Sequence, residues 1–266
     1  MAVDNRVKST GQYCVMKHPQ VSLEKVHKAF GRLTVLDGVD LAVHPGQALV
    51  ILGESGSGKT VLLKHMLGLI EPDSGRVFFE GREVSAMSER ELVDLRRQFG
   101  YVFQSAALFD SLTVGENVAF PLRQHSNTPE TELRHIVRDK LAMVGLHDVE
   151  EKMPAELSGG MKKRVGIARA LAAEPKVVVY DEPTAGLDPI KANLIDHLTA
   201  RLHQELHVTT IVVTHDLQCA FRVAQRIVLL WKGRLIEGGS PEQVQSTNIP
   251  ELASFVKGQP VEAQEA

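Results

Sequence analysis

The chain has 266 residues, a formal net charge of −3, 24% charged residues and 43% hydrophobic ones, an ordinary globular composition with room for one large α/β domain or a domain with a subdomain. The slightly acidic balance argues against general nucleic-acid binding, which needs a basic surface. Two cysteines, Cys14 and Cys219, are too few for a disulfide framework or a zinc site and fit a reducing compartment.

Residues 1–20 are polar and unpatterned; they read as a loose tail and lack the apolar centre of a signal peptide. From Val21 the segments "VSLEKVHKAF" and "GVDLAVHPG" alternate as half-buried strands. "QALVILG" reads as a short buried strand and "KTVLLKHMLGLI" as a buried helix. "SGRVFFEGREV" reads as a hairpin, and "FGYVFQ" as a strand ending near Gln104. Residues 105–157 turn polar and helical, the pattern of a helical subdomain inserted into an α/β body. The helix "GGMKKRVGIARALAAEP", the strand "KVVVYD", the helix "PIKANLIDHLTARLHQEL" and the strand "TTIVVTHD" follow. A helix in "DLQCAFRVAQ" and the hairpin "RIVLLWKGRLIEGG" close the patterned region at Gly239. This alternation predicts a parallel sheet with helices on both faces. The run "MKKR" reads as a solvated helix face, and His203 and His207, four apart in "HQELH", as an exposed one. The zinc motif H-E-x-x-H does not fit there, because Gln204 stands where the glutamate belongs. Residues 240–266 read as a tail that lies against a neighbouring subunit or is disordered. No apolar run approaches the ~20 residues that span a bilayer, so any action at a membrane is expected from its cytoplasmic side, through a partner.

"GESGSGKT" matches G-x-x-x-x-G-K-[ST] between the strand "ALVIL" and the helix "VLLKHML". Its residues Gly53, Glu54, Ser55, Gly56, Ser57 and Gly58 would turn backbone N–H groups toward phosphates. Lys59 would face the β- and γ-phosphates, and Thr60 would offer a hydroxyl to Mg²⁺; the helix N-terminus adds its dipole. Such a site needs a carboxylate at the end of a neighbouring buried strand. "VVVYDE" supplies Asp181 for the metal and Glu182 as the candidate base for an attacking water.

A second small-residue turn opens a second helix in "LSGGM": Ser158 is in cap position, with Gly159 and Gly160 after it. One triphosphate does not need two such cradles from one chain, so this turn is expected to close over the nucleotide of another copy. The order "GESGSGKT", Gln104, "LSGGM", "VVVYDEPTAGLDP", His215 resembles the ATP-binding cassette of ABC transporters over nearly the whole chain between its tails. The resemblance implies a P-loop NTPase cassette: a RecA-like core, an antiparallel β subdomain and an inserted helical subdomain, spanning residues 21–239. It implies head-to-tail pairing of two copies around two ATP molecules. It further implies that Phe30 stacks on adenine, that Gln104 reaches Mg²⁺ and couples to the membrane subunit, that Asp188 crosses the seam, and that His215 stands near the γ-phosphate.

Methionine at position 161, where the common signature has glutamine, and "FGYVFQSAALFDSLTVGENVAFPLR" are similar to the Mla/Mkl group of ABC ATPases. That likeness implies phospholipid transport at the inner membrane with an integral permease, an MCE-domain substrate-binding protein and a small cytoplasmic accessory subunit. An importer of amino acids or other polar solutes is the alternative reading, and a soluble ABC ATPase of the iron–sulfur assembly type a more remote one.

Overall fold

A computed structural model describes residues 18–126 and 128–259. The first 17 residues, with Cys14, and the last seven lie outside the described residues. The chain opens with strands β1 (Val21–Phe30) and β2 (Leu33–Val43), then β3 (Ala48–Leu52) leads into helix α1 (Lys59–Met66). Strands β4 (Ser74–Phe79) and β5 (Arg82–Glu83), helix α2 (Glu89–Arg97) and β6 (Phe99–Val102) come next. Helices α3 (Val114–His125) and α4 (Glu130–Met143) occupy the segment expected to be helical, followed by α5 (Gly159–Leu171). The remainder runs β7 (Val177–Asp181), α6 (Pro189–Leu206), β8 (Thr209–Thr214), α7 (Leu217–Val223), β9 (Arg226–Trp231), β10 (Arg234–Gly239), α8 (Pro241–Gln245) and α9 (Pro250–Lys257).

Two sheets result. The antiparallel one has the order β2-β1-β4-β5; the larger has the order β10-β9-β3-β8-β7-β6, parallel throughout except for β10 at its edge. Every residue of β3, β7 and β8 is buried, as expected of parallel strands covered on both faces. Alternate side chains explain the layering. Leu49, Ile51, Val177, Val179, Ile211 and Val213 face the antiparallel sheet and α1. Val50, Leu52, Val178, Tyr180 and Val212 face the helices on the other side. Helix α5 lies hard against β6: a Cβ on Gly100 would come within 2.3 Å of the Ala170 carbonyl oxygen, so only glycine permits that approach.

The mixed α/β architecture, the antiparallel sheet and both hairpins agree with the sequence reading, and four details differ. The first helix stops at Met66, where Gly68 in the left-handed region (φ 59°) takes up the turn. His203 is buried, its Nδ1 3.1 Å from the Val208 carbonyl oxygen and 3.1 Å from Thr210 Oγ1; burial lowers its pKa. Of the expected exposed pair only His207, at the left-handed end of α6, faces solvent. Within "MKKR", Lys163 is buried rather than solvated. Residues 240–257 form two helices on the chain's own core, with Val244 and Leu252 fully buried. Leu252→Ala should therefore destabilise the protein by about 2–5 kcal/mol in urea unfolding; a loss below ~0.5 kcal/mol would mean that α9 is not part of the core.

Candidate active site

The parallel register sets the site before any side chain does. Leu52 pairs with Thr214, and Val213 with Asp181. The carboxyl ends of β3, β8 and β7 therefore lie side by side, where open α/β sheets bind their ligands. Off β3 runs the loop Gly53–Thr60. Gly58, at φ 103°, starts α1 with no side-chain cap, so the first-turn N–H groups are left for an anion. A Cβ there would meet Val35 Cγ1 at 2.7 Å, so β2 presses directly on the loop. Ser57 Oγ is buried within it and has no hydrogen-bond partner among the described residues.

Lys59 is 6% exposed; its Nζ donates to the carbonyl oxygens of Gly53 (2.8 Å) and Glu54 (2.9 Å) and lies 3.3 Å from Glu182 Oε1. Glu182 follows β7 in the left-handed region (φ 48°), and its N–H donates to the Val213 carbonyl oxygen at 2.9 Å. A non-glycine residue held there is strained, and such strain concentrates at functional positions. The turn brings the carboxylate between Lys59 and His215, whose Nδ1 lies 2.9 Å from Glu182 Oε2. His215 is 55% exposed and leads into α7, which Asp216 caps by accepting from the N–H groups of Gln218 and Cys219. Lys59, Glu182 and His215 thus form one line of charge and hydrogen bonding.

Asp181, one residue earlier, points the other way. It accepts from Thr60 Oγ1 at 3.2 Å (Oδ2) and 3.4 Å (Oδ1), and from the Tyr101 hydroxyl at 2.8 Å. Burial, and then the Asp181 charge, push the Tyr101 phenol well above its ordinary pKa, so Tyr101 stays a donor. Nothing in the sequence singles out Tyr101; its position follows from its pairing with Val179 across β6 and β7.

Other expected site residues are placed differently. Gln104 is exposed, two residues beyond β6; its carbonyl oxygen accepts from Lys163, and its side chain makes no hydrogen bond to Thr60 or Asp181. Ser158 caps α5, accepting from the Met161 N–H at 3.3 Å. The turn Ser158-Gly159-Gly160 shares no hydrogen bond with the phosphate loop among the described residues. It lies instead beside the Asp188 turn: a Cβ on Gly159 would be 3.7 Å from Leu187, and one on Gly160 3.7 Å from Lys191. Asp188 caps α6 by accepting from the Lys191 N–H at 3.0 Å, and its hydrogen bond to Lys191 lowers its pKa. Phe30 is 51% exposed at the tip of the β1–β2 hairpin, 5.6 Å from Lys28 Nζ. The chain therefore holds two separate groups: loop, carboxylates and histidine in one, signature and Asp188 turns in the other.

An α/β fold with an uncapped phosphate loop on one buried strand and paired carboxylates on a near neighbour in the sheet defines a nucleotide-binding cassette. The chain belongs to the ABC transporter family, whose profile matches residues 36–185. It is 39% identical over 229 residues to the intermembrane phospholipid transport system ATP-binding protein MlaF of Haemophilus influenzae, covering 86% of this chain and 87% of that protein. It is 37% identical over 238 residues to the probable ribonucleotide transport ATP-binding protein mkl of Mycobacterium tuberculosis, covering 90% of this chain and 66% of that protein's length. Among solved structures, the dimeric post-hydrolysis state of the ATP-binding cassette MJ0796 bound to ADP and Pi matches with a TM-score of 0.74 at 33% identity, over 82% of this chain and 98% of that one.

Tyr101→Phe removes a donor from a buried carboxylate. It should lower stability by about 1.5–3 kcal/mol, the range for a hydrogen bond to a charged group, as measured by urea unfolding without nucleotide.

Proposed function

We propose that the chain is the ATP-hydrolysing subunit of an ABC transporter that powers phospholipid movement through a partner permease, working as a head-to-tail pair of cassettes. The observation that carries the hydrolytic part is the Glu182 carboxylate held between Lys59 Nζ and His215 Nδ1. In the nucleotide complex Lys59 exchanges its carbonyl partners for β- and γ-phosphate oxygens. Glu182 accepts a proton from water as that water attacks the γ-phosphorus, and His215 holds the geometry. The bond to the β,γ-bridging oxygen breaks, leaving ADP and phosphate. Positioning and charge stabilisation supply most of the rate. Ser158 and Gly160 of the second copy complete the cradle, Asp188 lies at the seam, and Phe30 offers its exposed ring to the adenine.

Thr60 Oγ1, Asp181 and the Gln104 amide are hard oxygen donors, and the described residues hold no group of three or more His, Cys, Asp or Glu that could take a metal by themselves. That donor set fits Mg²⁺, which takes one or two protein oxygens and completes its shell with phosphates and water. When bound, the ion neutralises charge on the β- and γ-phosphate oxygens.

No described helix is long and apolar enough to cross a membrane; in the proposed reading the chain works at the cytoplasmic face of the inner membrane, through the permease. A groove of about 420 Å³ beside the Gln104 loop, lined among others by Phe103, Phe109, Phe120 and Arg169, is the seat for the permease. The phospholipid assignment rests on the MlaF relatives and Met161; an MCE-domain protein and a small accessory subunit belong to the same reading. The mkl relative carries ribonucleotide transport in its name, which makes a ribonucleotide the competing cargo.

Glu182→Gln should retain ATP binding and slow hydrolysis at least ~100-fold, the scale of a lost base; undiminished turnover would remove Glu182 from that role. Purification from native membranes in mild detergent should recover a multi-pass permease and an MCE-domain protein. The assembly, reconstituted in vesicles, should move labelled phospholipid only with ATP. ATP-driven ribonucleotide uptake without phospholipid movement would overturn the cargo.

A further inference from the structure

The far end of α1, away from the phosphate loop, holds a buried histidine that the proposed hydrolysis does not use. His65 is 1% exposed, and its Nδ1 lies 2.8 Å from the Val61 carbonyl oxygen one turn back. A carbonyl only accepts, so Nδ1 carries the proton. Burial lowers the pKa of the ring and keeps it neutral, which leaves Nε2 a bare acceptor. Among the described residues Nε2 has no hydrogen-bond partner. The carbonyl of Glu71, the other backbone group beside the ring, is an acceptor too and already takes Lys28 Nζ at 2.9 Å. An acceptor buried without a donor is a costly arrangement, and native structures rarely leave one without a purpose.

The same ring lines a cavity of about 90 Å³ between the end of α1, the loop before β4 and the start of α2. Its walls are largely apolar, with Ile70, Val77, Val84 and Leu92 among them. The other polar side chains that line it are acceptors. Glu71 and Glu89 bring exposed carboxylates, neither in an ion pair among the described residues. Ser85 gives its hydroxyl proton to Glu83 Oε1 at 2.8 Å. The cations on the flanks are engaged elsewhere: Lys28 Nζ is 2.7 Å from Asp73 Oδ1, and Arg96 donates to the carbonyl oxygens of Leu67 (3.2 Å) and Gly68 (2.7 Å). The carboxyl end of α1 adds its negative dipole.

We propose that this cavity is a binding site for a small primary alkylammonium ion, whose N–H groups donate to His65 Nε2 and the rim carboxylates while its short carbon chain lies on the apolar wall. An ammonium brings three donors and no acceptor, the inverse of what lines the cavity. Size sets the rest. An apolar cavity of ~150 Å³ holds benzene, so one of about 90 Å³ suits roughly three or four non-hydrogen atoms, a two- or three-carbon amine. Water supplies a donor as well, but it leaves the two carboxylates uncompensated and the apolar wall wet. The site shares no residue with the nucleotide site and does not rest on the nucleotide reading.

The test is ring nitrogen NMR of the full chain labelled in histidine, without nucleotide, at neutral pH, where an alkylamine is charged. Ethylammonium chloride is the probe. It should shift the His65 Nε2 resonance saturably, with a Kd on the order of 1 mM, the most that three non-hydrogen atoms supply. Ethanol or sodium chloride at the same concentration should leave that resonance in place. Glu71→Gln together with Glu89→Gln, both at exposed positions, should keep the fold and raise Kd at least ~3-fold. His65→Phe keeps a ring of similar size and removes Nε2; followed through the backbone amides of residues 68–72, it should raise Kd at least ~10-fold. If His65→Phe does not fold, the titration of the unaltered chain and of the carboxylate pair still decides. A resonance that stays in place at ~50 times the expected Kd overturns the proposal, as does an unchanged Kd in the carboxylate pair. An equal shift with ethanol means a cavity open to any small donor, water included, and an equal shift with sodium chloride means ionic strength alone; either overturns the ammonium assignment.

Discussion

The side-by-side placement of β3, β8 and β7 is the constraint on which the rest depends. Parallel pairing fixes Leu52 beside Thr214 and Val213 beside Asp181, so three chain segments far apart in sequence leave the sheet at one edge. A one-residue slip in either ladder would exchange the inward and outward faces of a strand. It would drive the residues that face α1 and the antiparallel sheet into the helical layer. Burial on both faces forbids that slip, and the register of the core thereby fixes the position of the chemistry. The apolar runs "ALVIL", "VVVYD" and "TTIVVT" act as position markers as much as core.

Against this rigid edge the polar groups are placed by local devices, each with a cost. Glu182 is turned by a strained φ, Lys59 is buried to 6% exposure, and Asp181 lies in contact with a phenol. These three departures fall at the site, where function commonly overrides stability. Ala106 and Ala107 after Gln104 are also left-handed, and their carbonyl oxygens accept from the buried Arg169 of α5.

Legibility in the sequence divides along physical lines. The chemistry-bearing segments are readable because phosphate loops and strand-end carboxylates need a few residue types at fixed local spacing, and "GESGSGKT" and "VVVYDE" provide them. Long-range partners are not. Tyr101 reaches Asp181 through a strand pairing, and a single sequence carries no mark of pairing. Lys163 looked solvated because a charged run on a helix carries the same letters whichever side faces the core; its burial depends on the loop after Gln104 crossing just there. His203 carries the same ambiguity, since only its contact with β8 shows which side of α6 it occupies. The segment after Gly239 has the composition of a disordered tail, yet Val244 and Leu252 are spaced to reach the helical core from two short turns of helix. Sparse apolar residues can anchor a polar segment when an apolar surface is already waiting for them.

The separation of the site into two groups carries the last step. The phosphate loop, carboxylates and histidine cluster at the sheet edge, while the Ser158 turn and the Asp188 turn lie beside each other, with Gly159 near Leu187 and Gly160 near Lys191. In the proposed reading the Ser158 turn, which among the described residues makes no bond to its own chain's phosphate loop, takes its anion from another molecule. A two-fold pair supplies it economically, because a symmetric interface lets one patch serve as donor and acceptor at once and so doubles every contact. In such a pair neither nucleotide is enclosed until both chains meet, so closure and the assembly of the hydrolytic site become a single event. The energy of two nucleotides is then available to one mechanical movement.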